Sequence, residues 1–263
     1  MWWMMFLDRM KTLYGYRNLI WTLAWGDFKQ RYKNSILGYF WSLLEPLLML
    51  VVLYVVFSNL MRIQVEYYQL FLLLGIILWN FLSRATSMGL NAILGKPSMV
   101  QKIYFPREIL VLSSCITALL MSIFESLVFI AFMGAFQVPL SANLIYVPLI
   151  LVFLFVMSLG LSLALAGLNV FYRDVQFIWA VILQAGFFAT PILYPVTIFP
   201  ETLRGIFLLN PMAHIIMTAR DAIIYSTPAA AGSLLYAGIM SVVALLIGYV
   251  IFAHYEPRFA EEM

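Results

Sequence analysis

Five stretches of this chain run for 20 residues or more with almost no ionisable side chain: Ile36 to Leu60, Tyr67 to Leu94, Ile109 to Phe136, Leu144 to Phe171 and Leu234 to Ala253. A helix rises about 1.5 Å per residue, so about 20 apolar residues cross the hydrocarbon of a bilayer. No single soluble core could hide so many such runs. Of 263 residues, 64% are hydrophobic and 10% charged, against about a quarter charged in soluble domains. The chain is therefore expected to be an all-α integral membrane protein.

A sixth apolar region, Gln176 to Met217, is broken by Pro191, Pro195, Pro200 and Pro211. Proline removes a helical hydrogen bond and clashes with the preceding turn. The first half of this region is predicted to span, ending near Thr190, with short helices or re-entrant segments after it. That makes six transmembrane helices. The opening MWWMMFLD has no long apolar core and no small-residue cleavage site, so no cleaved signal peptide is expected.

Basic residues gather on the cytoplasmic side of membrane proteins. With the N-terminus inside, the cytoplasmic segments hold Arg9, Lys11, Arg17, Lys29, Arg31, Lys33, Lys96, Lys102, Arg107, Arg173 and Arg258; the outer loops hold Arg62, Arg204 and Arg220. Both termini are thus predicted to be cytoplasmic, and Arg173 and Asp174 to lie in a tight turn between spans four and five. Residues 1–35 read as a cytoplasmic amphipathic interface helix and 36–263 as the membrane domain. On that helix Asn18, Thr22, Gly26, Lys29 and Lys33 share a stripe, with Trp21, Trp25, Phe28 and Tyr32 beside it, near Arg31. Such a pattern suits either a membrane-surface anchor or a collar that docks a partner.

The residues that could carry chemistry are few. GLNAILGKPS (89–98) has the look of a phosphate loop but places five residues between its glycines and Pro97 where Ser or Thr should bind magnesium. Gly95 and Pro97 read instead as helix-stop signals. His214 and His254 have no neighbouring ligands and Cys115 is a lone cysteine, so neither a metal centre nor an internal disulfide is expected. A net charge of +3 without a basic face points away from nucleic acid. Glu45, Arg84 and Glu125 fall at membrane depth, where each should face protein or water. They read either as a structural ion pair, Arg84 with Glu125, or as a polar patch lining a pathway. Ser158, Ser162 and Ala166 form a small-residue stripe that permits close helix packing.

Taken together, RYKNSILGYFWSLLEPLL (31–48), QKIYFPREILVLS (101–113), NVFYRDVQF (169–177), FFATPILYP (187–195) and LNPMAHII (209–216) resemble the permease subunits of type-2 ABC exporters. The likeness is strongest to those exporting O-antigen, capsule or teichoic acid polysaccharides. It implies a homodimer in the cytoplasmic (inner) membrane, paired with two cytoplasmic ABC ATPase subunits that carry the ATP and magnesium, this chain having no cofactor of its own. The cargo would be a lipid-linked polysaccharide. It further implies an ATPase-coupling segment, Lys96 to Arg107, in which Lys102, Tyr104, Phe105, Pro106 and Arg107 make contact, with the helix Leu13 to Lys33 alongside.

Arg173 and Asp174 would then form a second contact or a latch, unless they are simply a solvated turn. The stretch Pro191 to Pro211 would be an outer gate of two short helices. Tyr39, Trp41, Trp179, Phe187 and Phe188 would line the path, since aromatic faces give weak, sequence-tolerant contacts to sugar rings. Export of drugs or small lipids by the same architecture is the alternative, and a membrane enzyme would need an acid, base or metal cluster that the sequence lacks.

Overall fold

The computed structural model describes residues 12–33, 35–60, 65–259 and 261–262. Arg9, Lys11, Arg62 and the side chain of Tyr32, all used above, lie outside what is described. Among the described residues there is no strand, and the α-helices used below follow in order. They are α1 (Arg17–Tyr32), α2 (Phe40–Tyr54, extended by a π-helical turn Val55–Leu60), α3 (Tyr68–Leu90), α4 (Pro97–Lys102), α5 (Glu108–Ala135), α6 (Tyr146–Phe171), α7 (Val175–Ala189), α8 (Glu201–Phe207), α9 (Pro211–Ile223) and α10 (Ala231–Tyr255).

Five helical stretches are long and apolar enough to cross a membrane: Phe40–Ser58, Tyr68–Leu90, Glu108–Ala135, Ala142–Phe171 and Ala231–Arg258. They match the five long runs read from the sequence. The expected fifth span is α7, with 15 residues; at 1.5 Å per residue it reaches only about 22 Å, short of a typical hydrocarbon core. It stops at Ala189 because Pro191 follows and the residue before a proline is driven out of the helical region. Thr190 is accordingly extended, at φ −93°, ψ 141°. The proline-broken stretch holds α8 and α9, with Pro211 at the first turn of α9 where its missing N–H has no partner to lose.

The bundle is built around α3. Leu70, Leu72, Leu73, Ile76 and Ala85 are wholly buried, and residues of α5, α6 and α9 close around the same core. In lipid there is little hydrophobic force between helices, so close van der Waals contact and hydrogen bonds must hold them. The small-residue stripe supplies both: Ser162 is buried and donates to Ala85 O on α3 at 3.0 Å. A second contact joins α6 to α10, where Gly160 meets the main chain of Ala244 and Gly248 meets Gly160. A methyl group on either glycine would collide with the other backbone.

By contrast α2 and α7 are only lightly attached. Ser42, Pro46, Leu50 and Leu53 are the buried residues of α2, spaced at three and four positions, so one stripe touches the body. The opposite side, with Trp41, Leu48, Val51 and Val52, is exposed. In α7 only Leu183 is buried.

Candidate functional site

Three regions gather the residues singled out from the sequence. The first lies at the end of the bundle that carries α4. Pro97 opens α4, a six-residue helix running to Lys102, and the chain then extends through Ile103 and Tyr104. Tyr104 is fully exposed and Ile103 more than half so. Phe105 behaves differently, because it is buried in a cluster with Ile20, Ile93, Val100, Phe252 and Phe259.

Both ends of this segment are tied down. Lys96 Nζ meets Asp27 Oδ2 of α1 at 2.7 Å. Arg107 donates Nη1 to Glu256 O at 2.5 Å, sends its main-chain N–H to Glu256 Oε1 at 3.4 Å, and lies over the Phe259 ring at 5.9 Å. Arg107 and Phe105 therefore serve the chain's own C-terminal turn, while Ile103 and Tyr104 are the apolar groups left on the surface. Lys102 and Pro106 flank them along a cleft of about 800 Å³ shared with Tyr16 and Pro257. Arg173 and Asp174 are exposed in the turn before α7, beside exposed Tyr172 and Phe177.

On α1 the buried stripe is Ile20, Ala24 and Phe28, and Thr117 of α5 donates to Ala24 O at 3.2 Å. Phe28, which the helical wheel grouped in one stripe with Trp21 and Trp25, instead stacks inward on Tyr39 and Phe124 at 5.4 Å each. The pattern was readable at four-residue spacing, but the isolated Ala24 in its middle concealed it. Trp21 and Trp25 remain exposed and stack on one another at 6.2 Å, and Lys29 lies 5.4 Å from the Trp25 ring. Lys29, Arg31 and Lys33 are exposed.

The second region is the exposed face of α2, beside α1 and α3. A groove of about 740 Å³ is lined by Arg31, Trp41, Glu45, Met49 and Asn80, among others. Polar and aromatic groups therefore share one wall. Tyr39, Trp41 and Phe188 are exposed. Phe187 is half-buried, edge-on to Trp79 at 6.1 Å, and Trp179 turns toward α3, giving its indole N–H to Thr86 Oγ1 at 3.0 Å.

Behind Glu45, which lines the groove, the structure brings the three intramembrane charges together. Arg84 lies between Glu45, at 3.0 Å through Nη2 and Oε2, and Glu125, which it holds through Nη1 and Oε1. Glu125 is wholly buried, whereas the Glu45 side chain is 56% exposed. The Arg84–Glu125 pair, one of the two readings left open by the sequence, is present, and Glu45 extends it to the groove.

The third region is the proline-broken stretch. Asn210 caps α9 by accepting from Met212 N at 3.0 Å and gives its amide to Thr190 Oγ1 at 2.8 Å. Tyr194 packs edge-on against Phe199 at 5.1 Å, and Phe199 stacks on Phe207 of α8 at 4.1 Å. Pro195 and Pro200 bracket the short 3₁₀ turn Val196–Ile198. Arg220, assigned to an outer loop by its place between the expected fifth and sixth spans, is instead inside α9 and buried. Among the described residues no group of three or more His, Cys, Asp or Glu is placed to hold a metal ion.

Comparison with known proteins agrees with this architecture. The chain is 30% identical over 256 residues to an O-antigen export system permease protein RfbA of Klebsiella pneumoniae, covering 96% of this chain and 98% of the relative. It is 32% identical over 257 residues to the protein of the same name in Myxococcus xanthus, with the same coverage. A polysialic acid transport protein KpsM of Escherichia coli is 22% identical over 230 residues, 86% of this chain and 89% of that one. The family model described as ABC-2 type transporter matches residues 18–224, from the second residue of α1 to just past the end of α9. With that match spanning most of the helices described above, the chain belongs to the ABC-2 type transporter family.

Proposed function

We propose that this chain is the membrane permease subunit of an ATP-driven exporter that moves lipid-linked polysaccharide across the cytoplasmic membrane. The observation that carries this reading is the end-to-end likeness to O-antigen export permeases, about 30% identical over 96% of the chain. The shape supports it. Two helices, α2 and α7, leave broad apolar faces uncovered, and a second copy would cover them and enclose the groove of Arg31, Trp41, Glu45 and Asn80. Tyr39 and Trp41, with Phe188 on α7, would offer a sliding sugar chain ring faces without a fixed charge.

The engine is a pair of separate ATPase subunits docked on the α4 end, which is cytoplasmic in this reading, with both termini on that side. Ile103 and Tyr104 form the hook that the ATPase grips, and Tyr172 to Asp174 form a second, smaller contact. Closure of the ATPase pair on ATP would pull the hook and shift the attached helices as rigid bodies. α7 completes a sixth crossing by thinning the bilayer locally or through its neighbour in the dimer, and α8 with the turn before it acts as the gate at the opposite end.

The alternative cargo, a drug or small lipid, draws on one observation. An apolar cavity of about 770 Å³ lies between α3, α5, α6 and α9, walled by Leu74, Phe81, Phe129, Met133 and Leu154 among others. No residue of α2 or α7 lines it, so it stands apart from the proposed path. The deciding experiment is deletion of the gene followed by analysis of cell envelope and cytoplasm. Lipid-linked polysaccharide trapped inside, restored to the surface by the wild-type chain but not by one lacking residues 96–107, is expected. Normal surface polysaccharide in the deletion strain would end the proposal.

A further inference from the structure

Arg220 is a cation that the transport path does not use. It is only 3% exposed. Its guanidinium donates Nε and Nη2 to Phe71 O on α3 at 3.2 and 2.9 Å, Nη1 to Pro191 O at 2.6 Å, and Nη2 to Ile192 O at 2.9 Å. It lies 3.3 Å from the centre of the Phe71 ring. None of these acceptors is a carboxylate.

The acceptors explain why an arginine is needed. Where α7 has just ended, the carbonyls of Pro191 and Ile192 have no helical partner, and buried carbonyls must find a donor. Three carbonyls reached from different directions suit a planar fork with five N–H groups; an ammonium has no such fork. A buried guanidinium with no carboxylate hydrogen-bonded to it is otherwise unfavourable, and an apolar side chain would fill the space more cheaply. Room for it is made by Gly75, where an added methyl would stand 2.8 Å from Nη2 and 3.1 Å from the Ile192 side chain.

Other bonds converge on the same turn. Tyr68 of α3 donates to Leu193 O at 2.7 Å, and Asn210 donates to Thr190 Oγ1. Residues 190–193 are all buried, although α7 immediately before them keeps Leu183 as its one buried residue. The lightly held helix therefore ends in a firmly held turn.

We propose that Arg220 is a positioning residue that pins the 190–193 turn to α3 and α9. The turn is then the fixed pivot between α7 and the gate segment that begins at Tyr194. The link to gating rests on the exporter reading above; the pin itself does not.

The test uses the full-length chain with its one native thiol removed by Cys115→Ala and a reporter introduced as Ile192→Cys. Labelling by N-ethylmaleimide is measured on purified protein, with Ile150→Cys, buried in α6, as the control for global unfolding. Arg220→Met should speed labelling at 192 by about tenfold or more, the factor that loss of one charged hydrogen bond allows, while the control stays protected. Gly75→Ala, which keeps the arginine but crowds its fork, should give a smaller increase. If 192 stays as protected as 150 in both variants, the pin is refuted. Should Arg220→Met fail to accumulate, Gly75→Ala alone decides. Export is measured in parallel. Faster labelling with undiminished export would overturn the gate assignment and leave the pin standing.

Discussion

Replacing Arg84 by methionine tests how the intramembrane charges are held together. Methionine keeps most of the side-chain length on α3, so packing changes little, but Glu125 on α5 is left wholly buried without its partner. Breaking a buried pair by removing one member typically costs about 3–5 kcal/mol, because an uncompensated charge remains in a poor solvent. Glu45 is 56% exposed, so losing its partner should cost at most about 1 kcal/mol. The single variant Arg84→Met should therefore lose stability almost entirely through Glu125. The double variant Arg84→Met/Glu125→Leu removes both charges and should recover most of the loss, since apolar replacements of buried pairs are often neutral or better. Heating the detergent-solubilised chain and following the folded fraction by size-exclusion chromatography gives the comparison. A drop in melting midpoint on the order of 10 °C is expected for Arg84→Met, with Glu45→Gln within about 3 °C of the parent. If Arg84→Met melts with the parent, or the double variant is no better than the single, the charges are not a mutually stabilising pair and the reasoning fails.

Tyr104→Ala and Phe105→Ala should separate cleanly despite being neighbours. The first should leave the melting midpoint unchanged while lowering ATPase co-purification by about tenfold, a single interface hot spot's contribution; the second should cost about 3–5 kcal/mol of stability by emptying a buried ring site. Equal melting of the two would show that Phe105 does not anchor the segment. Gly248→Leu should prevent accumulation of folded protein, since the side chain has only the Gly160 main chain to enter, and normal yield on a western blot would show that α6 and α10 are not in backbone contact. Phe259→Ala should weaken the coupling of ATP hydrolysis to export more than it weakens hydrolysis itself, because it loosens Arg107 and the cluster around Phe105 while leaving the exposed Tyr104 side chain unchanged. A proportional loss of both would count against the C-terminal turn as a brace.

Much of this architecture was legible beforehand, and for a physical reason. Crossing lipid demands a length and a composition, and both are printed in the chain, so the long helices emerge within a few residues of their expected bounds. The Arg84–Glu125 pair was legible as well, because charges at such depth have few partners to choose from. Arg220 was not. Its partners are main-chain carbonyls, which every residue carries, so no side-chain pattern announces them; its place between two expected spans suggested a loop. For Phe105 and Arg107 the resemblance implied a contact role without showing their packing: Phe105 is buried and Arg107 half-buried because Glu256 and Phe259 return from the far end of the chain to meet them. The inward face of α1 was obscured because Ala24, a small residue, marks contact as firmly as a large one where a helix lies tight against its neighbour.

The glycine contact between α6 and α10 gives those two helices the behaviour of a single welded strut. At 25 residues, α10 is about 37 Å long, and its lower end continues into the turn that grips Arg107. Through the weld the same strut reaches the foot of α6 and so the Tyr172–Asp174 corner. A tug on one corner is thus mechanically a tug on the other, the more so because Phe171 at the foot of α6 packs on Tyr255 and Phe259 at 4.8 and 6.3 Å. A motor subunit gripping at two spots would be loading one lever twice, and would gain firmness of grip without any second degree of freedom.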